Sequence, residues 1–277
     1  MRAVVAHGAG DFRLEDVPDP TLEGGAVVRM EAAGVCAADR MIYKGDSPWE
    51  LTFPFVPGHE NVGTIVELDA EAGQRWGVAE GDMVVNEVMV PCGDCPLCRR
   101  ERFHLCRNGR HIGSSLPGGW AERMAIPPKA RVWRVPAGLA AEEAVVAEPL
   151  ACGIHAVERA DPREGETVVI SGIGAIGAGA LAYVAAVKPV AEIVALVTTP
   201  ERAAIARELG AAAAIDVTAT DAAAELRDRT DGVGPDHYLD FTGVTASVDL
   251  AFEAIAPGGR ITLYGVYRER ATVDLNT

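Results

Sequence analysis

Residues 167–177 read TVVISGIGAIG, a short apolar run followed by glycines in the spacing G-x-G-x-x-G at Gly172, Gly174 and Gly177. The run is typical of a buried parallel strand, and the glycines permit a tight turn into a helix. In such a turn the main chain, including Ile176, lies close enough to bind the pyrophosphate of a dinucleotide at the helix N-terminus. The stretch therefore predicts strand, turn, helix and a nucleotide site.

Downstream of this stretch, apolar strand candidates alternate with Ala-rich helical segments, which predicts a parallel sheet with helical crossovers. One helix is well marked, because Thr199 can cap it, Pro200 suits its first turn and Gly210 ends it. The predicted strands cover residues 167–171, 193–197, 213–216, 237–241 and 260–265.

The cofactor's ribose has no acidic partner at the usual place. Such an acid ends the next strand about 20 residues after the glycines, but Thr198 and Thr199 stand there, and Arg202 lies a turn into the following helix. Either threonine can bond the ribose. Because no cluster of cations awaits a 2′-phosphate, we favour NAD over NADP.

The first 145 residues have a different texture, with short alternating apolar runs between breaks rich in Gly, Pro and Asp, which is typical of a β-rich domain. We therefore predict an α/β protein with a β-rich domain over residues 1–150 and a Rossmann domain over residues 151–277. The boundary is expected between Glu148 and Gly165, with a helix over residues 150–159. The β runs are at 26–30, 63–68 and 83–88.

Composition narrows the class of protein. The 277 residues are 49% hydrophobic, enough for a substantial core, and 25 Lys and Arg face 40 Asp and Glu, for a net charge of −15. Nucleic acid and anionic membrane surfaces are poor partners for such a chain. The N-terminus carries no export signal, so a cytoplasmic location is expected. Residues 168–187 are uncharged and long enough for a membrane span, but their glycines favour the strand and helix.

Four cysteines lie close together in a loop with Pro91, Gly93 and Pro96. Two disulfides are an alternative, but in a reducing cytosol clustered thiolates more often hold zinc. Four sulfur ligands leave no open position, so this zinc would be structural. The cysteines are Cys92, Cys95, Cys98 and Cys106.

A second donor set is scattered along the chain, and each member alone has an ordinary explanation. Residues 58–66, GHENVGTIV, and residues 81–84, GDMV, resemble the signature of the zinc-containing medium-chain dehydrogenases. Cys36 before this signature and the four-cysteine loop after it match the family's order of parts. The resemblance runs along the whole chain. It implies a GroES-like catalytic domain followed by a Rossmann domain, and two zinc ions per chain.

Within the family, residues 148–150 (EPL) and 153–156 (GIHA) resemble the polyol, sorbitol and threonine dehydrogenase branch. Most of all the chain resembles the erythritol and threitol dehydrogenases, through residues 36–37 (CA), 91–93 (PCG) and 148–152 (EPLAC). The resemblance implies that Cys36 and His59 bind the catalytic zinc, that Glu60 ligates it or lies just behind, and that Glu148 is a further ligand, directly or through water. Cys152 is the alternative for that last position. Asp39 is expected to accept the other ring N–H of His59.

The resemblance implies hydride transfer between a small polyol or secondary alcohol and NAD(P). The family's usual proton relay is missing, because Ala38 and Met41 stand at its positions. Ordered water, the cofactor ribose or Glu60 would replace it. Two alternatives stay open: an NAD(P)H-dependent reductase of a carbonyl, iminium or alkene, and a non-catalytic zinc- and nucleotide-binding protein.

The resemblance also implies a homo-oligomer, and further chain after the strand at 260–265, where this sequence stops at Thr277. We therefore expect the absence of this further chain to affect turnover and assembly more than metal or nucleotide binding.

Overall fold

The computed structural model describes residues 1–273, and the chain divides into two compact units, Met1–Glu148 and a second that begins at Pro149. Residues 274–277, where the expectation about the chain end falls, lie outside the described part. Among the described helices, none is both long and apolar enough to cross a bilayer. Residues 168–187 instead form a strand, a turn and a helix.

The first unit consists mainly of strands with short helices between them. In chain order its elements are β1 (Arg2–Gly8), β2 (Asp11–Asp16), β3 (Ala26–Ala33), α1 (Ala37–Lys44), β4 (Asn61–Leu68), α2 (Ala70–Trp76), β5 (Met83–Asn86), β6 (Met89–Val90), β7 (Arg110–His111), β8 (Arg123–Ile126), β9 (Val132–Arg134), α3 (Ala141–Ala144) and α4 (Ala147–Ala160), which continues into the second unit.

A five-stranded antiparallel sheet, in the order β8-β3-β4-β5-β9, forms the centre of this unit. Its core contains Val28, Ile65 and Met124, each about 1% exposed. The apolar run 83–88 does not form one strand, because the chain changes partner after Asn86, from β9 to β7. The β-rich texture predicted for this half is confirmed.

The second unit alternates strands and helices. Its elements are β10 (Thr167–Ser171), α5 (Ala175–Val187), β11 (Glu192–Val197), α6 (Pro200–Glu208), β12 (Ala213–Asp216), α7 (Ala222–Asp228), β13 (His237–Asp240), α8 (Thr245–Ala254) and β14 (Arg260–Leu263).

The five strands form one parallel sheet in the order β12-β11-β10-β13-β14. The order reverses at β10 and β13, and in such sheets ligands bind in the crevice outside the carboxyl ends of the strands at this point. The predicted α/β fold with a parallel sheet is confirmed. Helix α6 begins as predicted, with the Thr199 hydroxyl accepting the N–H of Arg202 at 3.3 Å and Pro200 as its first residue.

Candidate metal centres and nucleotide site

The four-cysteine loop connects β6 to β7 and contains two short 3-10 turns, Cys98–Arg100 and Phe103–Leu105. The four Sγ atoms all lie within 4.8 Å of one another. Two of the separations, Cys92 to Cys98 and Cys95 to Cys106, are 3.9 Å. A tetrahedron of sulfurs about 2.3 Å from a central zinc has edges of about 3.8 Å. All six cysteines are free, so the disulfide alternative is not formed.

Backbone N–H groups donate hydrogen bonds to two of these sulfurs and so favour their thiolate form. Cys98 N–H donates to Cys95 Sγ at 3.4 Å and Cys92 N–H to Cys106 Sγ at 3.3 Å. The first contact lowers the pKa of Cys95 to about 6, and the second lowers the pKa of Cys106. The neighbouring Asp94 raises the pKa of Cys92 to about 12, and burial raises that of Cys98. A divalent cation would stabilise all four as thiolates, so the donor set fits zinc.

The second group of donors forms where β3 and β4 meet. These strands are antiparallel, and Ala33 at the end of β3 pairs with Asn61 at the start of β4. Cys36, just after β3, and His59 and Glu60, just before β4, therefore emerge at the same place. One ligand atom from each of these three residues lies within 4.8 Å of the others. Residues distant in sequence are thus brought together in the arrangement expected of a metal site.

Glu60 lies against Gly34, a glycine that belongs to none of the motifs described above. Gly34 N–H donates to the carbonyl of Glu60 at 2.8 Å, and the indole N–H of Trp120 donates to the carbonyl of Gly34 at 2.9 Å. A Cβ at Gly34 would lie 1.8 Å from Oε2 of Glu60. The position of Gly34, two residues before Cys36, is the only sign of this role in the sequence.

Asp39 lies next to both Cys36 and His59, the other two residues of this donor group. Its side chain is 2% exposed. Oδ2 accepts the N–H of Cys36 at 2.9 Å, and Oδ1 lies 3.7 Å from Nδ1 of His59, somewhat longer than a hydrogen bond. With Nδ1 on the side of Asp39, Nε2 is the nitrogen available to a metal.

Burial without a cation disfavours charge on this group. Burial, with smaller effects from the surrounding carboxylates including Glu148, raises the pKa of Cys36 to about 12. Burial also raises the pKa of Asp39 and of Glu60. A divalent cation would compensate these negative charges, so this donor set also fits a metal.

Glu148 lies in the first turn of α4, and its charge contributes to the raised pKa of both Cys36 and Glu60. Cys152 follows four residues later, on the same face of the same helix. The metal-type group among the described residues contains neither Glu148 nor Cys152, so the choice between them as a further ligand stays a prediction.

In the second unit the glycine-rich turn leaves β10 and enters α5. A Cβ on Gly177 would lie 2.0 Å from the carbonyl oxygen of Gly172, so this glycine lets α5 pack closely on the turn. Gly174 caps α5, and a Cβ there would meet nothing within 4 Å. Half-buried Ile176 lies between them. The open side at Gly174 is where a pyrophosphate would approach the N–H groups of α5.

At the carboxyl end of β11, Thr198 is exposed, and the Thr199 hydroxyl is engaged in capping α6. Strand β11 does not end in an acidic residue. An exposed acid, Glu201, lies slightly later in the chain, in the first turn of α6. Hydrogen bonds from its own backbone N–H and from Thr199 lower the pKa of Glu201. The signal for Glu201 in the sequence is its place just after Pro200, where an acid indicates a charged first turn of a helix.

A β-rich unit with two zinc-type donor sets and a Rossmann sheet with a glycine-rich turn define a zinc-dependent NAD(P) dehydrogenase. Residues 23–137 match the alcohol dehydrogenase GroES-like domain, and residues 175–277 match the zinc-binding dehydrogenase domain. The chain belongs to the zinc-containing medium-chain alcohol dehydrogenase family.

Two curated relatives specify the branch. The chain is 40% identical to erythritol/L-threitol dehydrogenase of Mycolicibacterium smegmatis, over 99% of this chain and 78% of the relative. It is 32% identical to L-threonine 3-dehydrogenase of Pyrococcus horikoshii, over 100% of this chain and 78% of the relative. The resemblance to the polyol and threonine branch is thereby confirmed.

Solved structures share the fold over the whole chain. A zinc-binding dehydrogenase from Sinorhizobium meliloti 1021 bound to NADP has a TM-score of 0.91 at 28% identity, over 99% of this chain and 79% of that one. A protein from E. coli CFT073, described as a short chain alcohol dehydrogenase and complexed with NADH, has a TM-score of 0.89 at 26% identity, over 100% and 79%. The two bound cofactors differ, so the fold is compatible with either.

Proposed function

We propose that the protein transfers a hydride between a small polyol or secondary alcohol and NAD(P), with zinc held by the first unit and the dinucleotide by the second. The observation that carries the proposal is the convergence of Cys36, His59 and Glu60 beside Asp39. The assigned domains are a GroES-like catalytic domain over residues 1–150 and a Rossmann domain over residues 151–277. We also propose that the protein forms a homo-oligomer, because the resemblance to the family implies one.

For the catalytic centre, we assign Cys36, His59 and Glu60 as ligands and Glu148 as a further ligand, directly or through water. The effect of the Glu148 charge on Cys36 supports the last assignment. When bound, zinc supplies Lewis acidity that lowers the pKa of the alcohol hydroxyl, and NAD(P) supplies the hydride acceptor. Cys92, Cys95, Cys98 and Cys106 are assigned to a structural zinc.

The residues of this chain hold and orient the reacting groups. Asp39 anchors the start of α1 through the N–H of Cys36, and its Oδ1 faces Nδ1 of His59, where it would orient the ring of a metal-bound histidine. Neither Ala38 nor buried Met41 can carry a proton, so the alcohol proton must leave by another route. Ordered water, the cofactor ribose and Glu60 are the remaining routes.

For the cofactor, we propose NAD as the preferred form. Gly172, Gly174, Gly177 and Ile176 form the turn under the pyrophosphate, and Thr198, Thr199 and Arg202 surround the ribose. Exposed Glu201 places a negative charge beside that position, which would repel a 2′-phosphate.

The substrate class follows from the relatives. The curated relatives named above act, by their names, on erythritol and L-threitol and on L-threonine. A small molecule with a secondary hydroxyl next to further polar groups is common to these, and we propose that this chain oxidises a small polyol.

The test is cofactor reduction over a panel of polyols, with zinc measured in the same sample, for wild type and His59→Ala. We expect two zinc ions per chain and NAD reduction in wild type, and loss of turnover with intact NAD binding in His59→Ala. His7→Ala is the control, since His7 pairs with Glu15 outside the site. Turnover only of carbonyl, iminium or alkene substrates would support the reductase alternative. Two zinc ions without turnover in either direction would support a non-catalytic protein.

A second pair of variants separates the rival ligands. We expect Glu148→Gln to weaken zinc at the catalytic centre and Cys152→Ser to leave it in place. The reverse result would replace Glu148 by Cys152 in the ligand set.

A further inference from the structure

A buried polar network lies at the carboxyl ends of β10 and β13. Asp240, the last residue of β13, is 0% exposed, and Ser171, the last residue of β10, is 4% exposed. Ser247 in α8 lies between them, and its hydroxyl is 2.6 Å from Oδ1 of Asp240 and 2.8 Å from Oγ of Ser171. The network therefore spans the point at which the strand order reverses.

The hydrogen bonds in this network have a defined direction. A serine hydroxyl has one proton and two acceptor positions. Ser247 gives its proton to Asp240, so it must accept from Ser171 and from the hydroxyl of Tyr238, which is 3.0 Å away. The Ser247 hydroxyl thus uses its full hydrogen-bonding capacity and is held in one orientation.

Asp240 ties down the loop that follows its own strand. Oδ1 accepts the N–H and the hydroxyl of Thr242, at 3.3 and 2.7 Å, and Oδ2 accepts the N–H of Gly243 at 3.3 Å. Thr242 in turn abuts the glycine-rich turn, because a Cβ on Gly172 would lie 2.7 Å from its Cγ2 atom. The carboxyl group therefore sets the position of the chain that faces the dinucleotide turn.

Asp240 also holds the loop after β14. Oδ2 accepts the hydroxyl of Tyr267, and the main-chain oxygen of Asp240 accepts the N–H of Gly265 at 3.1 Å. The two loops touch through their backbones, since a Cβ on Gly243 would lie 2.5 Å from the carbonyl oxygen of Val266. One buried side chain thus joins two loops at the carboxyl edge of the sheet.

We propose that Asp240 is a positioning residue for the nicotinamide half of the cofactor site. The adenosine ribose is bound at the end of the strand after the glycine-rich turn, which is β11, so the other half of the dinucleotide lies across the crevice, towards β13 and β14. The loops held by Asp240 form that side. The inference rests on the proposed dinucleotide binding, and Asp240, which is fully buried, acts in it only through the two loops.

Titration of the purified 277-residue chain with NADH and with ADP tests the proposal. ADP occupies only the adenosine and pyrophosphate positions. In Asp240→Asn an amide NH₂ replaces one oxygen and faces hydrogen-bond donors, so the loops lose their anchor. We expect the Kd for NADH to rise at least about tenfold, the order of one lost charged hydrogen bond, while that for ADP changes by less than about twofold.

Asp216→Asn is the matched control. Asp216 ends β12, and its Oδ1 accepts the N–H and hydroxyl of Thr218 at 2.9 and 2.7 Å, the same turn on the other side of the sheet. This variant should leave the ratio of the NADH and ADP affinities unchanged. If Asp240→Asn does not fold, Tyr267→Phe is the second test. This variant removes one hydrogen-bond donor to Asp240 and should weaken NADH binding without weakening ADP binding.

Equal loss of NADH and ADP binding in the variant, or no loss of either, overturns the positioning role. Wild-type protein that binds neither NADH, NADPH nor ADP overturns the proposed function itself, and this inference with it. The two failures are therefore distinguishable.

Discussion

A Cβ atom on Gly34 would lie 1.8 Å from Oε2 of Glu60 and 2.9 Å from its Cβ and Cδ atoms, so only glycine leaves room for this carboxylate. Glu60 is 8% exposed and shares its site with Cys36 and His59. The absence of a side chain at Gly34 thus determines where the carboxylate lies.

We predict that Gly34→Ala folds but displaces the Glu60 side chain, because the clash is with a side chain and not with the backbone. Zinc at this centre should bind more weakly and turnover should fall by about tenfold or more. Metal analysis and steady-state kinetics measure both effects. Gly8→Ala is the control, since a Cβ there meets nothing within 4 Å. Unchanged zinc content and rate in Gly34→Ala would show that Glu60 needs no such space.

The second prediction concerns Asp39. In Asp39→Asn the contacts to His59 and to the N–H of Cys36 are weakened, so the catalytic zinc should dissociate more readily and activity should fall by about 10–100-fold. Zinc per chain after dialysis against a chelator is the measurement. Asp69→Asn is the matched control, because Asp69 caps α2 and asparagine caps equally well. Full retention of zinc and activity in Asp39→Asn would contradict the role of Asp39.

The third prediction separates two glycines of the nucleotide turn. Gly174→Ala adds a methyl group into open space, so stability should hardly change, but NAD binding should weaken because the methyl group occupies the pyrophosphate position. Gly177→Ala places a Cβ 2.0 Å from the carbonyl of Gly172, and should destabilise the unit by about 1–3 kcal/mol. Thermal unfolding and NADH titration of both variants distinguish the effects. If Gly174→Ala binds NADH like wild type, the pyrophosphate lies elsewhere.

The fourth prediction concerns the structural zinc. Cys98→Ser should lose one zinc ion per chain and unfold at a lower temperature, because metal binding contributes to folding of the loop. The catalytic zinc should remain. Zinc analysis with thermal unfolding is the measurement, and Gly8→Ala, outside both donor sets, is the control. A well-folded Cys98→Ser protein with unchanged zinc content would contradict the four-cysteine assignment.

Local patterns in the sequence were sufficient for several of these features. The four cysteines fall within 15 consecutive residues, 92–106, and the glycine-rich turn directly follows its strand, so short-range spacing carried the information. The alternation of strands and helices likewise predicted the parallel sheet. Strand ends were less predictable. The expected strand over 237–241 ends at Asp240, because the side chain of Asp240 bonds Thr242 and turns the chain away.

The sequence by itself determined the fold class, the glycine-rich turn and the four-cysteine loop, because each depends on residues that are neighbours along the chain. The sequence indicated the grouping of Cys36, His59 and Glu60 only through the family resemblance, and its physical basis, the pairing of β3 with β4, is visible only in the tertiary structure. Only it showed the space at Gly34 and the junction of two loops by Asp240. Contacts between distant residues are set by strand pairing and packing, and no local pattern in the sequence encodes them.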